Sequence, residues 1–133
     1  MTTFLAGFLA GSLMGMLFVT HAAVVFVFRP PSGFHERAAA SGTSKLAVVL
    51  VAGSLAGWSM LGVAAAFAHV AIADRSSGIE DSVPYVMAVL FVAALTAIPL
   101  ALFLRDRLLD LALEYALFIG LFGLLIPALV RAI

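Results

Sequence analysis

The chain has 133 residues, 65% of them hydrophobic and 11% charged, with no net charge and no cysteine. A soluble domain of this size carries about 25% charged residues and could not hide so much apolar surface in one small core. Zero net charge argues against nucleic acid as a partner. Without cysteine there are no disulfides, thiolate zinc sites, cysteine-held iron–sulfur clusters, c-type haem attachment or cysteine nucleophile.

Residues 1–28, 46–73 and 82–104 contain no Asp, Glu, Lys or Arg, and 108–130 is interrupted only by Asp110 and Glu114. An apolar run of about 20 residues crosses a ~30 Å hydrocarbon core as a helix. The pattern therefore predicts an all-α integral membrane protein. A single four-helix transmembrane domain is expected, with spans at about 3–28, 46–73, 83–104 and 108–130. Short connections favour an up-down-up-down bundle.

Span 1 opens the chain. It lacks a positive n-region, and its apolar run exceeds a typical signal h-region, so a retained span is expected rather than a cleaved leader. Gly7, Gly11 and Gly15 recur every four residues and form one smooth groove, the pattern that lets two helices approach closely. His21 follows, eight residues before Arg29, which puts it ~12 Å from that end of the span. Arg29-Pro30-Pro31-Ser32-Gly33 ends the helix, because proline disfavours helix before it and donates no backbone hydrogen bond. The loop then runs through His35, Glu36 and Arg37 to Lys45.

Span 2 repeats the small-residue device with Gly53 and Gly57, and Gly62 lies just off that row. Within one chain the two rows would pack spans 1 and 2 together. Between chains they would form a self-association or partner-subunit interface. Trp58 sits mid-span, where Ser54, one turn back, is expected to accept its indole N–H. His69 lies near the end, before the acidic loop of Asp74, Glu80 and Asp81. Spans 1 and 2 are each about 27 residues, roughly 40 Å, so both should tilt or protrude.

Span 3 starts with Pro84, which suits a first helical turn. Pro99 and, in span 4, Pro127 should loosen their helices and free the carbonyls of Leu95 and Gly123. Asp106, Asp110 and Glu114 line one face at the start of span 4, where a helix dipole favours negative charge. Glu114 lies ~10 Å beyond Arg107, near the level of His21. Ionisable groups inside a membrane mark functional sites by default. His21 and Glu114 are thus candidates for a shared proton or ion site, with Asp110 and Asp106 as its acidic mouth. The plainer account has Glu114 reaching to the interface and the acidic stripe solvated. His69 falls in the opposite half from His21, so one haem between the two histidines is not expected, nor is any other cofactor or metal.

Arg29, Arg37, Lys45, Arg105 and Arg107 fall on one side of the predicted bundle, and Arg75 and Arg131 on the other. The positive-inside rule then puts both termini outside, in a cell membrane of prokaryotic type. No serine has a His/Asp set beside it and no glycine-rich phosphate loop is present, so an enzyme is the least favoured class. The leading expectation is a small non-enzymatic membrane subunit. It would act by helix packing with lipid, with itself or with other membrane subunits. The alternative is a small transporter or ion/proton channel using His21 and Glu114.

Overall fold

A computed structural model describes residues 1–28, 43–73 and 82–132. The first-loop residues Arg29, His35, Glu36 and Arg37 and the second-loop residues Asp74, Arg75, Glu80 and Asp81 lie outside the described residues. All described elements are helical: α1 (Thr2–Phe28), α2 (Thr43–Ile72), α3 (Val83–Phe103), α4 (Leu108–Phe118) and α5 (Ile126–Ala132). A 3-10 turn (Arg105–Arg107) leads into α4, and a π-helical segment (Ile119–Leu125) joins α4 to α5. These last pieces form one rod, so among the described residues four helices are long and apolar enough to cross a membrane.

The sequence explains each boundary. Pro84 occupies the first turn of α3, where its missing N–H is not needed. At the other end Leu104 leaves the helical region (φ −109°, ψ 44°) while its N–H still reaches the Leu100 carbonyl at 2.8 Å. The Arg107 N–H then reaches the Leu104 carbonyl at 2.9 Å, which folds the chain straight from α3 into α4.

α1 and α2 are zipped along their length by glycine. A Cβ on Gly7 would meet the Gly62 carbonyl and, at 2.6 Å, the Val63 Cα. One on Gly11 would meet the Trp58 carbonyl and the Ser59 Cα at 2.8 Å, and one on Gly15 the Leu55 Cα at 3.2 Å. The partners descend α2 as the glycines ascend α1, so these two helices pair in opposite chain order. Ser12 and Ser59 seal the seam with a hydroxyl–hydroxyl hydrogen bond of 2.9 Å.

Two expectations for α2 need correction. Gly53 and Gly57 are not the α2 half of this contact: nothing lies within 4 Å of a Cβ built on either, and Gly62 takes their place. The rotation of α2 about its axis turns the Gly53–Gly57 row outward. Ser54 does not hold the Trp58 indole, because its Oγ is buried without a hydrogen-bond partner. Trp58 instead packs against rings, 5.8 Å from Phe18, 6.2 Å from Phe118 and 6.0 Å from Phe122, centroid to centroid.

The core lies in one half of the molecule. Ala6, Ala10 and Met14 of α1 meet Ala66 of α2, Tyr85 and Val89 of α3, and Phe122, Ile126 and Val130 of the last rod. The other half, around the end of α1 and the start of α4, holds two clefts, and a further cavity of about 340 Å³ opens beside Val86, Pro127 and Arg131. Outside, large apolar side chains such as Phe8, Met60, Phe91 and Leu124 are exposed.

The π segment leaves one carbonyl free where it meets Pro127. In it the Ile126 N–H bonds the Leu121 carbonyl, five residues back. Continued by one residue, that register would assign the Phe122 carbonyl to the N–H of residue 127, which is proline and has none. The Tyr85 hydroxyl donates to Phe122 O instead, at 2.9 Å. The carbonyl bonded from outside the helix is thus Phe122's, one residue before the Gly123 carbonyl that an α-helical register predicts.

Candidate functional site

His21 stands on the last two turns of α1, and the turn at Leu104–Arg107 swings the start of α4 against it. Two carboxylates on that face, one helical turn apart, converge on the imidazole. His21 Nε2 is 3.9 Å from Asp110 Oδ1 and 3.9 Å from Glu114 Oε1. Both gaps exceed a direct hydrogen bond, and Nε2 itself has no hydrogen-bond partner. A separation of this size is closed by a small side-chain rotation or spanned by one water.

The three groups are partly, not fully, buried, with side-chain exposures of 19% for His21, 31% for Asp110 and 27% for Glu114. They line a cleft of about 160 Å³ between α1 and α4 that Arg107 also borders. A wider cleft of about 450 Å³ adjoins it through His21 and Asp110, with exposed Asp106 and Arg105 at its mouth. Four of the sequence-selected residues therefore gather in one place, in the order mouth to interior: Asp106, Asp110, His21, Glu114. A neutral imidazole beside two carboxylates can take up a proton, pass it on, and hold a charge balanced by its neighbours. Among the described residues, no group of three His, Cys, Asp or Glu is arranged to hold a metal ion.

Glu114 faces a second space as well. A cavity of about 400 Å³ between the helices is walled by Phe18, Trp58, Tyr115 and Phe118, with Glu114 at its edge. Tyr115 donates a 2.8 Å hydrogen bond to Thr96, whose hydroxyl in turn donates to the Val92 carbonyl. One carboxylate thus joins a polar cleft to an aromatic cavity.

The glycine rows do not contribute to this cleft. Gly7, Gly11 and Gly15 are consumed by α2, and Gly53 and Gly57 look outward.

A second polar cluster, at the other end, escaped sequence reasoning. His69 is 2% exposed, and its Nε2 lies 3.3 Å from the Ser82 hydroxyl, which Arg131 also contacts as a donor. The Tyr85 ring meets the His69 ring edge-on at 4.9 Å. The available signal was weak: Ser82 and Tyr85 bracket Pro84 at a helix start, and Arg131 is the lone charge of the last turns. His69 and His21 share no partner.

The chain matches no known protein family, no curated protein and no solved structure.

Proposed function

We propose that the protein is an integral membrane, up-down-up-down four-helix bundle that binds and passes protons at His21, Asp110 and Glu114. One observation carries this reading. Two carboxylates of the last rod, Asp110 and Glu114, lie 3.9 Å from the Nε2 of His21 on α1, beside an open cleft. Charges at such positions are expensive unless they do something.

Other features support the setting. Four helices have the length and composition of spans, and their outer faces carry exposed Phe, Leu, Met and Val that water would not tolerate over so large an area. The 7-to-62, 11-to-58 and 15-to-55 contacts pair α1 and α2 in opposite directions, and the 82-to-131, 85-to-122 and 96-to-115 contacts do the same for α3 and the last rod. Arg105 and Arg107 mark the cleft end. With Arg29, Arg37 and Lys45 they make it the basic, cytoplasmic side, leaving both termini outside.

The test is proton flux in liposomes holding the purified protein, read with a trapped pH dye. His21→Ala and Glu114→Gln each abolish most of the flux, and the double variant is little worse than either. Strictly additive defects, or flux unchanged in both single variants, would sink a shared site.

A second reading, a subunit of a homo-oligomer or larger membrane complex, keeps one specific observation. The Gly7–Gly11–Gly15 seam is used up inside the chain, but Gly53 and Gly57 leave α2 smooth and open on its outer side. Extraction in mild detergent discriminates: a stable assembly lost on Gly53→Leu favours the subunit reading, and a monomer with intact flux removes it.

A further inference from the structure

We infer that the aromatic cavity beside Glu114 binds a lipophilic organic cation, which exchanges there against the proton, resting on the proton exchange proposed above for the same carboxylate. The cavity, about 400 Å³, has the size of a small-molecule site. Its walls combine the two features that select for an apolar cation. Phe18, Trp58, Tyr115 and Phe118 present ring surface, and a ring face attracts positive charge. Glu114 supplies the single carboxylate at the edge. No lysine or arginine lines the cavity, so an anion finds no counter-charge there.

Access fits the same class of ligand. α1 and α2 are zipped, but α2 touches α3 only sparsely. Leu61 on α2 and Val92 and Leu100 on α3 border the cavity and stay 55%, 50% and 41% exposed. The opening is therefore sideways and apolar, a route for a solute that partitions into lipid. The polar route is the other one, through the cleft of His21, Asp110 and Arg107. The two routes meet at Glu114.

Exchange follows with charge in balance. With its proton gone, the Glu114 carboxylate holds one monovalent cation. A proton entering through the cleft passes from the His21 imidazolium to Glu114, leaving neutral imidazole and a neutral acid, and the cation loses its counter-charge and departs. The charged and titratable groups facing Glu114 are His21 from α1 and Asp110, Arg107 and Tyr115 from its own rod. α2 and α3 present Trp58 and Thr96, which do not titrate in this range.

Trp58, the only tryptophan in the chain, lies in the cavity wall and reports occupancy directly. Tetraphenylphosphonium is titrated onto the detergent-solubilised protein, with binding measured by equilibrium dialysis and by Trp58 emission. Tetraphenylborate, the same shape with opposite charge, is the control. Saturable binding of the cation alone is expected, weakened about tenfold or more by Glu114→Gln, which leaves the cation in an apolar cavity without its counter-charge. Val92→Phe fills the cavity with Glu114 intact and should abolish binding, which keeps the test open if E114Q does not fold. His21→Ala should retain cation binding while losing proton flux. Equal binding of the anion, or full cation binding in folded E114Q and V92F, overturns the cation site. Absent cation binding alongside His21- and Glu114-dependent proton flux overturns it too, and leaves the proton site standing. Glu114-dependent cation binding without proton flux, even with a tetraphenylphosphonium gradient across the liposome, keeps the cavity assignment and removes the proton reading instead.

Discussion

The two histidines at opposite ends of this bundle occupy unlike surroundings. His69 is packed edge-on against Tyr85 and tied to Ser82 through Nε2, while its Nδ1 is buried without a hydrogen-bond partner; Arg131 donates to the same Ser82 hydroxyl. His21 stands with its Nε2 unbonded, two carboxylates just out of reach and clefts on either side. Around His69 the helices close on a continuous core; around His21 they part. The contrast teaches that a polar residue in an apolar helix is not informative by type. An enclosed histidine packed against a ring holds helices together, whereas one beside an open cleft is free to change its protonation or its partner.

The comparison breaks most visibly in function. Flux per folded protein should fall on the order of tenfold or more in His21→Ala and stay unchanged in His69→Ala, measured with the same pH dye. Loss of flux in both would mean that the ends act as one pathway. Stability should invert the ranking. His69→Ala removes a buried ring, its contact with Tyr85 and the Ser82 bond, at about 2–4 kcal/mol. His21→Ala should cost about 0.5 kcal/mol or less. Unfolding titrations in mixed micelles read both.

A smaller effect tests why the enclosed end is closed. Tyr85→Phe leaves the Phe122 carbonyl without its donor and should cost about 1–2 kcal/mol, with flux intact. A neutral result would show that the π segment satisfies itself. The last comparison sets a glycine with the smallest expected effect against one in the seam. Gly53→Ala points into open space and should change stability by about 0.5 kcal/mol or less. Gly11→Ala drives a methyl into the Trp58 carbonyl and should cost about 1–3 kcal/mol. Equal costs would mean that the Gly53 face is also covered, by a second copy or another subunit.

Helix extents were legible because length and apolarity are one-dimensional signals. The apolar stretches 3–28, 46–73, 83–104 and 108–130 are helical to within a few residues of their ends. The common depth of His21 and Glu114 was legible for a related reason, since each can be measured from a charged end by counting helical rise, but that the two face each other at 3.9 Å was not. Helix rotation was not. α2 is apolar on every side, so no stripe states which face turns inward, and Gly53 and Gly57 looked as good as Gly62. The Ser54–Trp58 pairing failed for the same reason, since sequence spacing does not say that three rings will claim the indole. The Phe122 carbonyl was missed because the π register depends on Tyr85, which is 37 residues away in sequence.

The π segment also sets the phase of the last rod. Asp106, Asp110, Glu114, Phe118, Phe122, Ile126 and Val130 are all four residues apart. On an uninterrupted α-helix such a series winds away by about 40° per step, so its far end would face outward. A π turn holds more residues and winds the series back. Here it does so across Ile119–Leu125, and Phe122, Ile126 and Val130 come round to the core while Asp110 and Glu114 face α1. Deleting one residue from that stretch would turn everything beyond it by about a quarter of a revolution. Arg131 would leave Ser82, and the acidic end would not feel it.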